Sequence, residues 1–256
     1  MGPEKRDART APALFGPLAR HVHHARGATT ATILGHTVHL IGAADTRAEG
    51  RLRGFYDMWD EGAHVVDALP DMRRYWLGVD YGTTNPFAAL LLGEGVDGRL
   101  YVCSEWRHDS RATRRQMTDA QYSAAVRQWL AEWRHPAAGP DVPAGVAPQW
   151  TFIDPSAAFH CADVGRRAPG PARASNEVKD GIRTVAGALA AGRLLVHRSC
   201  SGLLAELPGY SWDAKATERG EDAPLKIDDH SADALRYVMH STAHEWRQLL
   251  APAQNA

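Results

Sequence analysis

"YWLGVDYGTTNPFAALLL", residues 75–92, decides how the rest of the chain is read. An apolar run ends in Asp80, a Gly-Thr-Thr-Asn turn follows, and a second apolar run starts at Phe87. Three structures begin this way. Such a turn can hold nucleotide phosphates, an aspartate at the end of a first strand can hold a catalytic metal, and a plain hairpin can leave the Asp solvated. The flanking residues have to discriminate.

Downstream the pattern is regular. "FAALLLGEG" reads as a second strand and "GRLYVCSEWR" as a third, with the glycine-rich "GEGVDG" as the hairpin turn between them. Residues 114–134 space Tyr122, Val126, Trp129, Leu130 and Trp133 at three- and four-residue steps, which predicts an amphipathic helix. Proline and glycine make 136–148 a loop. "QWTFIDP" is a short buried strand ending at Asp154, because Pro155 cannot continue a ladder. "NEVKDGIRTVAGALAAG" predicts a helix between an N-cap at Asn176 and a stop at Gly192. "RLLVH" is a further strand, and "SCSGLLAELPGY" a short helix broken by Pro208. After the polar "SWDAKATERGEDAPLK", "DDHSADALRYVMHSTAHEWRQLL" forms the last helix, with Leu235, Val238 and Met239 on one face. Three antiparallel strands, helix, strand, helix, strand and helix make an α/β domain with a mixed sheet. Upstream, residues 31–43 alternate as a strand or short hairpin, residues 1–25 show no apolar period and suggest poor order, and the charged, glycine-containing stretch before Tyr75 suits a surface connection.

The 256 residues suit one generous domain, or a domain with an appendage, and carry a formal charge of −1. Without a global excess of charge, a nucleic-acid partner has to meet a local basic patch. The three cysteines, Cys103, Cys161 and Cys200, form no CxxC pair, which argues against a disulfide framework and suits a reducing compartment. No apolar run reaches the roughly 18–20 residues that span a bilayer. The N-terminal "MGPEKRDARTAPA" lacks a signal-peptide core, so a soluble cytoplasmic protein without membrane contact is expected. "HVHH", with His21, His23 and His24, alternates faces and has no acid or cysteine close by, and so reads as a solvated basic segment.

Acidic residues stand at element ends. Asp80 ends the first strand and Asp154 the fourth, while Asp229 and Asp233 fall in the first turns of the last helix, on one face. If the first and fourth strands are neighbours, their ends lie about 5 Å apart, and the helix closes a pocket of three or four carboxylates. Like charges that close are unfavourable. A divalent cation reverses the sign: Mg²⁺ takes oxygen ligands and keeps waters and phosphate oxygens, and two ions about 3.5–4 Å apart promote phosphodiester cleavage. Structural readings compete. Asp228 or Asp229 can cap the helix, a role expected mainly of Asp228; Asp154 before proline can open a turn; Asp80 can serve its turn alone. The joint placement favours the metal.

"GVDYGTTNPFAAL", "WTFIDPSAA" and "KIDDHSADALRYVMH", in this order, resemble the C-terminal nuclease domain of phage terminase large subunits, the motors that cut concatemeric DNA and package it. "FYDMWDEGAHVV" is similar to the segment leading from the motor into the nuclease. The resemblance implies a ribonuclease H-like mixed sheet flanked by helices over 75–248, a linker over 55–74, a tail over 249–256 and a small irregular N-terminal appendage. It also implies a pair of Mg²⁺ or Mn²⁺ ions held by Asp80, Asp154 and Asp229, with Asp233 as a fourth ligand or a carboxylate behind the others. Which of Asp229, His230 and Asp233 takes the third position is left open by the sequence. Glu105, read at the end of the third strand, and Asp228 are candidates to support the ligands, an exposed Glu105 being the simpler reading. "TILGHTVHLIGAADTRAEGRLRG" is similar to the middle of the family's ATPase domain, yet no GxxxxGK[ST] phosphate loop occurs in the sequence. Residues 1–54 are therefore expected to be a truncated ATPase remnant, partly disordered, without ATPase activity.

Double-stranded DNA is the implied substrate, and portal protein and small terminase subunit the implied partners, in the host cytoplasm. Between 160 and 198 seven basic residues, Arg166, Arg167, Arg173, Lys179, Arg183, Arg193 and Arg198, face three acids. The loop "GRRAPGPARASN" follows the Asp154 strand and is suited to phosphate backbone, as is Lys226. Arg111, Arg114 and Arg115 form a weaker patch. Two alternatives remain in view: a resolvase- or transposase-like strand-transfer enzyme, and a catalytically silent remnant acting as an interaction module. A nucleotide-binding turn at Asp80 would need a second such turn, and the chain has none.

Overall fold

The computed structural model describes residues 58–82, 85–154, 178–211, 224 and 226–247 in full, and the backbone of four further short strands. The chain divides into two compact units, 1–52 and 53–256. In the first, β1 (Val22–His23), β2 (Thr30–Ile33) and β3 (His36–His39) form an antiparallel sheet in that order, with Thr30 opposite His39. The hairpin expected within 31–43 is β2–β3. The expectations for order over 1–25, for a core over 1–54 and for the tail from 249 fall almost wholly outside the described residues.

The second unit is built on β4 (Val65–Val66), β5 (Met72–Asp80), β6 (Phe87–Gly95), β7 (Leu100–His108), β8 (Trp150–Ile153), β9 (Ala172–Arg173) and β10 (Leu194–His197). Across this mixed seven-stranded sheet the order is β4-β10-β7-β6-β5-β8-β9. β5, β6 and β7 are the expected antiparallel meander, and β8 joins β5 in parallel. All nine residues of β6 are buried, as an apolar strand covered on both faces requires. Its side chains divide by the period of two. Ala88, Leu90 and Leu92 join a core with α4 (Val178–Ala190), α5 (Ser201–Glu206), α6 (His230–Ser241) and α7 (Ala243–Trp246); Phe87, Ala89 and Leu91 join the opposite core with α3 (Asp119–Glu132).

β5 obeys the same alternation, and this positions the site. Trp76 lies in the α6 core, and a Cβ on Gly78 would meet Ala234 and Val238 of α6. Asp80, two residues on, reaches α6 through His230. Leu77 and Val79 face the other core.

Differences from the sequence reading have local causes. The stretch expected to be a surface connection contributes α1 (Glu61–His64) and the edge strand β4, which pairs in parallel with β10. His64 is buried there, its Nε2 hydrogen-bonded to Leu189 O at 3.0 Å, and Leu69 is buried too. The helix predicted over 114–134 is shorter: α2 (Ser110–Thr113) ends at Arg114 with φ 51°, and α3 starts at Asp119. Thr118 sets that start through a capping box with Gln121. Thr118→Ala is expected to cost about 1 kcal/mol, read by urea unfolding. The last helix breaks at Thr242, whose hydroxyl donates to Val238 O at 2.6 Å and accepts from Trp246 Nε1 at 2.9 Å. Gly192, at φ 61°, ends α4 as expected. Among the described residues no helix is long and apolar enough to cross a membrane.

Candidate active site

β5 and β8 run in parallel with Val79 opposite Ile153, and Asp154 N donates to Val79 O at 3.2 Å. The next register position brings Asp80 and Asp154 side by side at the same sheet edge, as the sequence expected of neighbouring strands. Over this edge stands the first turn of α6. Asp229 is its N-cap residue, and Asp233 N donates to Asp229 O at 2.7 Å, so the two acids lie one turn apart. His230 Nδ1 lies 2.9 Å from Asp80 Oδ2, with the imidazole donating, and joins helix to strand.

Burial and charge set the behaviour of these groups. Asp80, Asp229 and Asp233 are 8%, 3% and 2% exposed. Burial pushes the Asp80 carboxyl up to about 6, against the His230 hydrogen bond and with help from the Asp233 charge. Burial also acts to lower His230, but the Asp80 carboxylate outweighs it and holds the imidazole above its usual range. Burial acts to raise Asp233, yet the charges of Arg236 and Lys226 prevail and hold it below the carboxylate range. The Tyr237 phenol is raised by burial first, then by Asp233, Asp80 and, more weakly, Asp154, so one buried ring feels all three acids.

The two acids of α6 are held very differently. Asp233 Oδ1 accepts from the Tyr210 hydroxyl and from Arg236 Nε at 3.2 Å, and Oδ2 accepts from Lys226. Both its oxygens are engaged. Asp229 Oδ2 is buried and accepts no aligned hydrogen bond, although Lys226 Nζ stands 3.0 Å away as an ion-pair partner. Lys226, its side chain 62% exposed, is thus a cation resting on the two acids. Among the described residues no three His, Cys, Asp or Glu side chains already converge as a metal cluster. The acids that could hold a divalent ion are Asp80, Asp154 and Asp229, the last with a buried oxygen paired to the exposed Lys226.

Other predicted residues are placed as follows. Glu105 lies within β7, three residues short of its end, and its side chain is only 4% exposed, contrary to the exposed strand-end reading. It accepts from Ser231 Oγ and from Gly202 N. Asp228 is exposed, has φ 48° and is not the cap expected of it; the amides of Ser231 and Ala232 go to Glu206 instead. Lys179 is exposed on α4. Arg166, Arg167 and the Arg173 side chain lie outside the described residues. Tyr210, Arg236, Glu206 and Arg107 were missed. Arg236, 1% exposed and one turn after Asp233, was the one with a visible signal, since a buried arginine needs an acid.

Comparison with known proteins identifies the family of this fold. The terminase RNaseH-like domain family matches residues 77–242. The large subunit of the terminase of Escherichia phage T5 is 26% identical over 202 residues, 73% of this chain and 41% of that protein. The large terminase of a thermophilic bacteriophage is 33% identical, with a TM-score of 0.63 over 74% of this chain and 45% of that one. The nuclease domain of the P22 large terminase, 19% identical, has a TM-score of 0.51 over 77% of this chain and 96% of that one, a likeness of fold. The chain spans less than half the length of the T5 protein and of the thermophilic phage protein. With more than half of its residues matched and the strand-end aspartates inside the matched region, the chain belongs to the terminase RNaseH-like domain family.

Proposed function

We propose that this domain is a divalent-metal-dependent DNA endonuclease of a phage packaging terminase, cutting concatemeric double-stranded DNA by phosphodiester hydrolysis. The observation that carries the reading is the pairing of Asp80 and Asp154 at adjacent parallel strand ends beneath Asp229 of α6. The donor set fits Mg²⁺ or Mn²⁺: hard carboxylate oxygens, one of them a buried Asp229 oxygen whose partner is the ammonium group of the exposed Lys226 rather than a cap. When bound, such ions, two in this reading, supply Lewis acidity at the phosphate and lower the pKa of a water.

Asp80, Asp154 and Asp229 are the ligands in this proposal, and Asp233 anchors α6 from behind. His230 fixes the rotamer of Asp80 through the hydrogen bond from its Nδ1 at the edge of the site. Lys226 neutralises Asp229 and Asp233 and, with most of its side chain in solvent, can turn to a DNA phosphate when a metal ion takes its place. Arg166, Arg167, Arg173 and Lys179 extend that contact along the backbone, without base readout. Portal protein and small terminase subunit are the proposed partners, in the host cytoplasm.

The second reading, a silent interaction module, is favoured by the pairing of Lys226 with two of the acids. Supercoiled plasmid incubated with the protein and Mn²⁺, Mg²⁺ or chelator separates the two. Nicked and linear products with either metal and none with chelator are expected. Absence of cutting, together with no shift of the melting temperature by Mn²⁺, would establish the silent module instead.

A further inference from the structure

Asp229 stands at the N-cap of α6 but makes no capping hydrogen bond. The first-turn amides are capped from another helix. Glu206, the last residue of α5, accepts through Oε2 from Ser231 N at 2.6 Å and Ala232 N at 3.0 Å, and through Oε1 from Arg107 Nη1. The same guanidinium donates to Ser231 Oγ, whose hydroxyl donates to Glu105 Oε1. Glu105 Oε2 in turn accepts from Gly202 N at 2.7 Å, in the first turn of α5. Strand β7 therefore holds α5 at both ends, at its start through Glu105 and at its end through the Arg107–Glu206 pair, and α5 holds α6.

This bridge is close-packed. The Glu206 side chain is 3% exposed, and a Cβ on Gly202 would fall 2.4 Å from Arg107 Cδ and 2.7 Å from Glu105 Oε1. A carboxylate at a helix N-terminus satisfies the open amides and meets the positive end of the helix dipole. An aspartate at the N-cap ordinarily supplies that oxygen itself. Here it is relieved of the task.

We propose that Glu206 is a positioning residue of the site: by capping α6 from α5 it releases the Asp229 carboxylate and fixes the first turn of α6 so that Asp229 and His230 face the Asp80 strand end. The functional consequence rests on the metal-nuclease reading above; the placement of His230 can be read without it.

The test uses the full chain with Glu206→Ala and Glu206→Gln, the latter keeping one oxygen acceptor but losing the charge that Arg107 holds. Mn²⁺ affinity is measured by calorimetry, the His230 ring resonances by NMR in the absence of metal, and folding by circular dichroism. Glu206→Ala is expected to shift the His230 resonances and to weaken Mn²⁺ binding by on the order of tenfold or more, the usual range for a group that supports a ligand. Glu206→Gln is expected to fall between wild type and Ala. If Ala does not fold, Gln alone carries the comparison, with a smaller shift of both readouts in the same direction. A folded variant with lowered melting temperature but unchanged resonances and unchanged affinity would reduce Glu206 to a structural residue and overturn the proposal. A wild type that binds no Mn²⁺ would instead sink the metal reading, and the His230 resonances would then decide the role of Glu206.

Discussion

Asp229→Asn is expected to lower metal-dependent plasmid nicking by about 10³-fold or more while the fold keeps its melting temperature, whereas Asp233→Asn is expected to lose stability first. The two acids share a helix face and similar burial, so composition and position do not separate them. Their partners do. Asp229 Oδ2 accepts no aligned hydrogen bond, the α6 amides are capped by Glu206, and its ion-pair partner among the described residues, Lys226, is mostly in solvent. Asp229 is itself buried, but its cation is mostly in solvent and the isosteric amide breaks no cap, so removing the charge costs the fold about 0–1 kcal/mol. In the proposed metal reading it removes a ligand whose ion would contribute several kcal/mol at the transition state, and at about 1.36 kcal/mol per decade that is three orders of magnitude.

Asp233 is the counter-charge of a guanidinium that is 1% exposed, lies over the Tyr237 ring at 4.5 Å and has one nitrogen, Nη1, already without a hydrogen-bond partner. Neutralising Asp233 leaves that charge buried and unpaired, which typically costs about 3–5 kcal/mol. Urea unfolding and single-turnover nicking of both variants check the split. Equal losses of activity, with both variants fully stable, would make Asp233 a ligand in its own right.

The parts of this molecule legible in the sequence are those written in local pattern. The meander of β5 to β7 was readable because Phe87–Gly95 is a continuous apolar run between turn residues, and the proline marked the end of β8 at Asp154; that β8 lies beside β5 was only a condition in the sequence and is given by their parallel pairing. What escaped depends on pairing between distant segments. Val65–Val66 is too short to show a period, and it is a strand only because β10 passes beside it. Glu206 reads as an ordinary helical glutamate in "GLLAELPGY"; its role appears only when α5 packs against α6 and Arg107 arrives from β7. Asp228 was the natural cap by position, but its positive φ turns it to solvent and leaves the N-cap to Asp229.

Gly78→Ala is the substitution expected to damage both fold and site together. Gly78 lies on the face of β5 shared with Trp76 and Asp80, where α6 crosses so closely that a Cβ would sit 2.3 Å from Ala234 O and 2.9 Å from Val238 Cβ. The first obstacle is backbone, so no rotamer change relieves it. Either β5 bends or α6 moves away, and an overpacked core of this kind costs about 3 kcal/mol. Gly93→Ala in β6 makes the comparison fair: its Cβ would meet Met72 Sδ at 2.8 Å and Cys103 Sγ at 2.9 Å, side-chain atoms of which the methionine end can swing aside. It is expected to cost less than half as much in urea unfolding. The displacement matters beyond stability, because α6 carries Asp229 and His230 and β5 carries Asp80. The surviving folded fraction of Gly78→Ala is expected to lose Mn²⁺ binding and the His230–Asp80 contact, whereas Gly93→Ala keeps both. Were folded Gly78→Ala to bind Mn²⁺ as wild type does, the close approach of helix and strand would be a packing detail, and the metal would tolerate a separation that joint ligation by Asp80 and Asp229 forbids.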